Sequence, residues 1–237
     1  MEYEVSAVIP VYNDREALTT AIPKSLRHLE GITDSFELLV AEDGSSDGSA
    51  EYVSEWEGRD PRIRLLHSDE RLGRGSALTR AFAVSRGRIF CYYDVDLATD
   101  MSHLRDLVGA IRSGCDIATG SRLMPTSDID RGTGREIASR GYNALVRLIL
   151  GSRLYDHQCG FKAFSHDRLD ALLPGVRAYH WFWDTEVLVL GQRAGYRVCE
   201  FPVVWRQGRG TTVKLSDVTG MGSEILRLWW RLHAQKD

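Results

Sequence analysis

No apolar run in this 237-residue chain approaches the ~20 residues that a membrane-spanning helix needs. The chain opens on Met1-Glu2-Tyr3-Glu4, acidic and already strand-like, so no secretory leader is expected. Cysteine is scarce. Cys91, Cys115, Cys159 and Cys199 stand far apart, with no CxxC pair. That pattern argues against a zinc site or a disulfide frame and predicts reduced, mostly buried thiols in a cytosolic protein. No Walker A sequence occurs, which argues against an NTPase. Gly73-x-Gly75 precedes a helical stretch, but Leu78 stands where a dinucleotide fingerprint has its third glycine, and the motif follows the third strand; that class is rejected too. Positive charge shows no overall excess, the formal net charge being −3, so no nucleic-acid partner is expected.

What is present is an ordinary soluble composition, 43% hydrophobic and 27% charged, long enough to bury one substantial core. The charge is unevenly placed. Residues 1–60 hold fourteen acidic side chains against four basic ones, and the remainder is basic by seven. A basic second part suits an anionic partner such as phosphate or a membrane surface, although solvated charge alone also explains it.

Strand-like and helix-like stretches alternate. Strands are expected at 5–11, 36–41, 62–67, 89–93 and 116–120, with helices at 47–56, 76–85 and 102–111 between them. Asp14 is expected to cap a first helix that buries Ala17, Leu18, Ala21 and Ile22, and Pro23 to break or kink it. This order implies an α/β fold: a mostly parallel sheet with helices on both faces. Beyond it, 124–135 reads as a polar loop, 137–150 and 184–193 as helices, 160–164 and 197–205 as strands, and 207–212 as a second polar loop. No repeat or linker divides the chain.

In such sheets ligands bind beyond the carboxyl ends of the strands. Those ends carry Pro10-Val11-Tyr12-Asn13-Asp14, Glu42-Asp43-Gly44-Ser45-Ser46-Asp47, Arg71-Leu72-Gly73-Arg74-Gly75, Asp94-Val95-Asp96 and Gly120-Ser121-Arg122. Asp94 and Asp96 sit two apart after an apolar run, and an extended chain would point both the same way. Neighbouring carboxylates repel unless a cation or proton lies between them, and a hard divalent metal also binds phosphate oxygens. Alone, the pair reads equally as a strand ending in a polar turn. Asp43 is placed to accept from a nucleobase with Tyr12 beside it, or to close an Asx-turn. It is the convergence of these segments that points to a nucleotide diphosphate.

With Ile9-Pro10-Val11-Tyr12-Asn13-Asp14, Glu42-Asp43-Gly44-Ser45-Ser46-Asp47-Gly48, Asp94-Val95-Asp96-Leu97, Gly120-Ser121-Arg122, Ser139-Arg140-Gly141-Tyr142-Asn143 and Asp156-His157-Gln158-Cys159-Gly160-Phe161-Lys162, the chain resembles inverting glycosyltransferases of family 2 with the GT-A fold. Within them it is similar to the dolichyl- and polyprenyl-phosphate hexose synthases of the dolichyl-phosphate mannose synthase type. The resemblance covers residues 5–215 and implies a GT-A domain over 1–215, followed by an amphipathic helix over 216–237. It implies that Pro10, Tyr12, Asp14, Asp43 and Val95 surround the donor nucleotide, and that Asp94 and Asp96 hold Mg²⁺ or Mn²⁺ on its diphosphate. It implies that Arg122, Arg135 and Ser139 face the acceptor phosphate, and that Arg206 with a loop lysine clamps the donor. An amide metal ligand of some members is Ala98 here. The loop's usual Ser-Lys is Thr211-Thr212, which leaves the clamp to Lys214 or Arg209.

The implied reaction moves mannose or glucose from GDP-mannose or UDP-glucose to an isoprenoid lipid phosphate, inverting the anomeric centre. A phosphate monoester is largely dianionic at neutral pH, its second pKa being ~6. No general base is therefore required, and Asp156 and Asp184 are the candidates if one exists, or else structural partners of arginine. In the C-terminal segment Val218, Met221, Ile225, Leu228, Trp229 and Leu232 share a helical face, with Trp230, Arg227 and Arg231 adjoining. That face suits either the cytoplasmic surface of a membrane, with room for a membrane-protein partner, or packing on the domain. Other readings are a family 2 enzyme with a glycan acceptor, a sugar nucleotidyltransferase and a non-catalytic binding subunit. Intact Asp94 and Asp96 oppose the last, and the absence of a glycine-rich basic first loop opposes the nucleotidyltransferase.

Overall fold

The structure is a computed structural model that describes residues 1–207 and 215–234. Its chain runs β1 (Tyr3–Val11), α1 (Arg15–Glu30), β2 (Phe36–Glu42), α2 (Ser49–Glu57), β3 (Ile63–Leu66), α3 (Arg74–Val84), β4 (Gly87–Tyr93), α4 (Leu104–Arg112), β5 (Ile117–Ser121), β6 (Asp128–Asp130), α5 (Thr133–Leu150), β7 (Phe161–Ser165), α6 (His166–Leu172), α7 (Trp183–Arg193), β8 (Val198–Pro202), β9 (Val204–Arg206) and α8 (Leu215–Ala234). Seven strands form one sheet in the order β3-β2-β1-β4-β7-β5-β8, parallel except for β7, which pairs antiparallel with β4 and β5. The expected mostly parallel α/β sheet is therefore present.

Both faces of the sheet are covered, so its strands read as near-continuous apolar runs. Alternate residues feed different cores. Val5, Ala7 and Ile9 of β1 meet Leu18 and Ile22 of α1 and Leu104 and Leu107 of α4. Val8, with Phe90 and Tyr92 of β4, meets Leu78 of α3 and Trp183 and Val187 of α7. A third cluster joins Tyr142, Val146 and Leu150 of α5 to Ile225 and Leu228 of α8.

Several expectations need correction. Pro23 does not break α1, which runs on past it to Glu30. Proline removes one backbone donor, and the buried stripe of Leu18, Ile22, Leu26 and Leu29 holds the helix on both sides. The 197–205 stretch is two strands in two sheets, since β9 leaves the main sheet to pair with β6 inside the expected polar loop. Cys115 and Cys199 are not thiols but a disulfide. They lie 84 residues apart, yet β5 and β8 pair in parallel with Ala118 opposite Cys199, which brings the two Cα atoms to 6.0 Å. Cys91 and Cys159 remain free and buried. The cysteines thus give no argument for a reducing compartment.

The pairing is checked by counting thiols in denaturant. Two titrate per chain before reduction and all four after it; four before reduction would show that Cys115 and Cys199 do not pair.

Candidate active site

In the order β3-β2-β1-β4 the chain reverses direction between β1 and β4, and the crevice beyond those two carboxyl ends is where an open α/β sheet binds its ligand. Among the described residues, the two non-glycines with positive φ are here: Asn13 after β1, at 50°, and Leu97 after β4, at 49°. Such backbone is uncommon and clusters at functional sites. Asp94 and Asp96 are not aligned by strand alternation, because β4 ends at Tyr93. A turn follows instead, closed by Leu97 N–H donating to Asp94 O at 3.1 Å, while Ala98 N–H donates to Asp96 Oδ1. Both carboxylates still line one small cleft with Tyr93, Gly160 and Trp205.

Asp94 is held by Arg74, whose Nε and Nη2 donate to Oδ1 at 3.2 and 2.8 Å. Arg74 Nη1 also donates to Asp184 Oδ2 at 2.5 Å. Asp184 is buried on α7, accepts from the Tyr92 hydroxyl and pairs with Lys162 at 2.9 Å. Despite burial, Arg74 and Lys162 hold the Asp184 carboxyl below the usual range. Gly160 leaves room for Asp94: a Cβ there would sit 2.0 Å from Asp94 Oδ2. Asp96 reaches the open rim of the cleft, yet crowding about its carboxyl, then the charges of Asp94 and Asp14, raise its pKa.

The remaining donor-side candidates are placed as follows. Pro10 is buried in β1 opposite Ala41. Tyr12 lies under the Arg71 guanidinium, 3.9 Å from the ring centroid. Asp14 caps α1, accepting from Ala17 N–H, and burial raises its pKa. Asp43 is 4% exposed, and its two oxygens accept from the N–H groups of Leu72 and Gly73 at 3.0 and 2.8 Å. It therefore shapes the loop before α3. Gly73 has φ 103° there, and a Cβ would meet Tyr179 O at 2.5 Å. Val95 packs against the core. Arg206 is exposed and paired with Asp128 of β6, while its N–H donates to Ala98 O at 2.8 Å beside the Asp96 turn. Lys214 and Arg209 lie outside the described residues.

On the other side of the cleft Arg122 follows β5. Its Nε and Nη2 donate to Asp156 at 2.7 and 3.0 Å, and the Asp156 carboxyl, wholly buried, lies well below its ordinary value because of Arg122. Arg122 is also close enough to feel the charge of Asp94. Arg135 and Ser139 stand on the first two turns of α5. The Ser139 hydroxyl is buried without a hydrogen-bond partner among the described residues.

Two distant motifs bond to each other here. The Asn143 Oδ1 accepts from His157 N–H and contacts His157 Nδ1, at 2.8 and 2.7 Å, and His157 Nε2 meets Ser152 Oγ. Burial holds the His157 pKa down at about 3, with Lys162 and Arg147 adding to the effect. Glu200 accepts from the N–H groups of Tyr155 and Asp156. Sequence reasoning placed Arg71 and Arg74 in a strand-end segment without giving them a role, and missed Arg131 and Glu200. Arg71 and Arg74 were visible in the segment rejected as a dinucleotide motif; nothing local marked Glu200.

The donor set suits a divalent cation. Two carboxylates share one cleft, one with its pKa raised by burial and then by the other's charge, and a glycine leaves space beside Asp94. Among the described residues no group of three or more His, Cys, Asp or Glu converges. The protein's share would thus be two carboxylates, with diphosphate and water oxygens completing roughly six ligands.

A family model described as glycosyl transferase family 2 matches residues 6–173. The chain belongs to that family. It is 52% identical to the glycosyltransferase AglD of Haloferax volcanii over 97% of its own length, and spans 37% of that relative. It is 28% identical to a dolichyl-phosphate beta-glucosyltransferase of Trichomonas vaginalis (96% of this chain, 71% of that one), and 28% identical to the undecaprenyl-phosphate mannosyltransferase of Micrococcus luteus (85% and 83%). Its fold matches glucosyl-3-phosphoglycerate synthase of Mycobacterium tuberculosis with a TM-score of 0.71 at 19% identity, covering 97% of this chain and 79% of that one; that structure was solved with Mn²⁺, UDP and product. The GT-A expectation therefore stands.

Two stability measurements test this geometry. Asp156→Asn leaves Arg122 buried against a neutral amide, and a loss of about 3 kcal/mol is expected in denaturant unfolding. Because the folded Asp156 pKa is depressed, its contribution is present above pH 3.8 and lost as pH falls below it. His157 works in a higher window. From pH 6.5 down to about 3 the unfolded chain binds its proton first, so stability falls with falling pH, by up to ~1.4 kcal/mol per unit. His157→Gln removes that share of the slope; an unchanged slope would mean that the ring is not held neutral.

Proposed function

We propose that this chain is the catalytic domain of an inverting hexosyltransferase that moves mannose or glucose from GDP-mannose or UDP-glucose to dolichyl or polyprenyl phosphate. One observation carries the reading: a carboxylate pair lines a small cleft after β4, and Arg122 after β5 lies in electrostatic reach of Asp94. Two anionic substrates need such a division of charge. The printed activities of the dolichyl- and undecaprenyl-phosphate relatives support the choice of acceptor.

Asp94 and Asp96 would hold Mg²⁺ or Mn²⁺, which supplies neutralisation of the departing diphosphate. Arg74 keeps Asp94 in place from behind. Tyr12 and Arg71 offer a stacked surface for the base. Arg206, with Lys214 or Arg209, closes over the diphosphate. Arg122, Arg135 and Ser139 hold the acceptor phosphate, whose oxygen attacks C1 as the C1–O bond to the diphosphate breaks, and the electron pair leaves with the diphosphate. No general base is needed, and the two carboxylates that could have served are engaged: Asp156 with Arg122, and Asp184 with Arg74 and Lys162.

The domain acts peripherally, at the cytoplasmic face of a membrane. Among the described residues no helix is long and apolar enough to cross a bilayer. Of the two readings of the α8 face, packing on the domain applies to part of it: Ile225 and Leu228 turn inward onto α5, and Arg231 pairs with buried Glu186. What remains outward is Leu226, Trp229 and Trp230 of α8, beside Leu145 and Leu148 of α5, Leu148 being 82% exposed. Apolar residues with Trp on paired helices suit the headgroup boundary.

The test is transfer of radiolabel from a panel of nucleotide sugars to isoprenyl phosphate with Mn²⁺ or Mg²⁺. Label enters the organic phase from one donor, and EDTA or Asp96→Ala abolishes it. A protein that binds nucleotide and metal but labels no lipid from any donor sinks the acceptor assignment and leaves the glycan-acceptor reading.

A further inference from the structure

Arg131 lies between the polar β6 strand and α5, and its Nε and Nη1 are buried without a hydrogen-bond partner among the described residues. No other described arginine leaves two nitrogens so. An unsatisfied buried donor costs roughly 1–3 kcal/mol, more for a charged group. The guanidinium lies over Trp205, 5.5 Å from the ring centroid, and Trp205 lines the cleft of Asp94 and Asp96. Arg122 and Arg135 lie within electrostatic reach of it. Burial, then the Arg122 charge, lowers the Arg131 pKa, with a smaller share from Arg135, while Asp156 and Glu136 oppose the effect. Asp156 is already taken by both arms of Arg122, and Glu136 by Arg140. The Ser139 hydroxyl on the neighbouring helix is unpartnered as well. Three guanidinium groups within electrostatic reach of one another and an unpaired hydroxyl, with neither Asp156 nor Glu136 free to match Arg131, describe a receptor for a compact, multiply charged anion.

We propose that Arg131 binds the acceptor's phosphate monoester, on the side of the acceptor site that faces the Asp94–Asp96 cleft. Its stack on Trp205 fixes the guanidinium plane at the boundary between the two substrates, so it holds the nucleophilic phosphate toward the donor while Arg122 and Arg135 hold it from behind. The proposal rests on the lipid-phosphate reading above.

The probe is geranyl phosphate, titrated calorimetrically into the full chain without donor, with geraniol as control. Arg131→Gln weakens its binding at least tenfold, about 1.4 kcal/mol, and Arg131→Lys recovers part of the loss. In turnover R131Q raises KM for the lipid phosphate by a similar factor and leaves KM for the nucleotide sugar within about twofold. Its thermal midpoint falls by no more than the loss of the Trp205 stack accounts for, since Nε and Nη1 have no hydrogen bond to lose among the described residues. Unchanged geranyl phosphate affinity in R131Q overturns the proposal. A raised nucleotide-sugar KM with an unchanged lipid KM overturns it too, and assigns Arg131 to the diphosphate. If the wild type binds nucleotide and metal but not geranyl phosphate, the acceptor reading falls and this proposal with it.

Discussion

The buried carboxylate of Asp184 governs the catalytic end of the sheet. A charge taken out of water costs several kcal/mol unless it is met by partners in good geometry. Asp184 on α7 meets Arg74 from α3, Lys162 from β7 and the Tyr92 hydroxyl from β4, so four elements must arrive together for any of them to be satisfied. Arg74 then has its remaining donors directed at Asp94. Between the rings of Tyr92 and Trp181 it has little freedom to do otherwise. The orientation of the first cleft carboxylate is thus a consequence of how the core closes, and the exposed site inherits the rigidity of a buried charge network.

The same logic explains Asp156–Lys162, one of the family's more particular signatures. Its members face different partners: Asp156 meets Arg122, His157 meets Asn143, Gly160 makes space for Asp94, and Lys162 meets Asp184. β7 runs antiparallel between β4 and β5, so residues just before it lie against the carboxyl ends of both neighbours. A short segment ahead of one reversed strand can therefore brace the donor-side carboxylate and the acceptor-side arginine at once. None of these side chains is free to take a proton from substrate, which agrees with a nucleophile that arrives already ionised.

Much of the fold was readable from residue order. The five leading strands and the helices between them follow from apolar runs broken by turn residues, because a sheet buried on both faces leaves that pattern. The site was readable as a place, since motifs at successive strand ends converge. Roles were harder to assign. Asp43 read as a nucleobase acceptor or an Asx-turn residue, and the sequence did not show that its oxygens also accept from the loop before α3, a contact set by residues some 30 positions away. The disulfide depended on the register of β5 against β8, which no local pattern encodes. Pro23 was overruled by packing. Arg74 was placed without a role because its partners, Asp94 and Asp184, are 20 and 110 residues distant.

The carboxylate pair after β4 and the arginines after β5 both belong to the basic remainder of the chain, so the division of charge in the crevice is made by the fold and not by the asymmetry between the first sixty residues and the rest. A nucleotide diphosphate and a phosphate monoester repel each other, and the repulsion grows as they approach bonding distance. A uniformly basic pocket would attract both but would have no means of keeping them in order. In the proposed reaction, carboxylates on one wall would admit the anion that brings a divalent cation with it, and guanidinium groups on the other wall would bind the bare phosphate. Arg122 sits where the two walls meet, its fork spent on Asp156 and its charge still felt at Asp94. Its pairing with a fully buried carboxylate fixes that charge in place between the two walls.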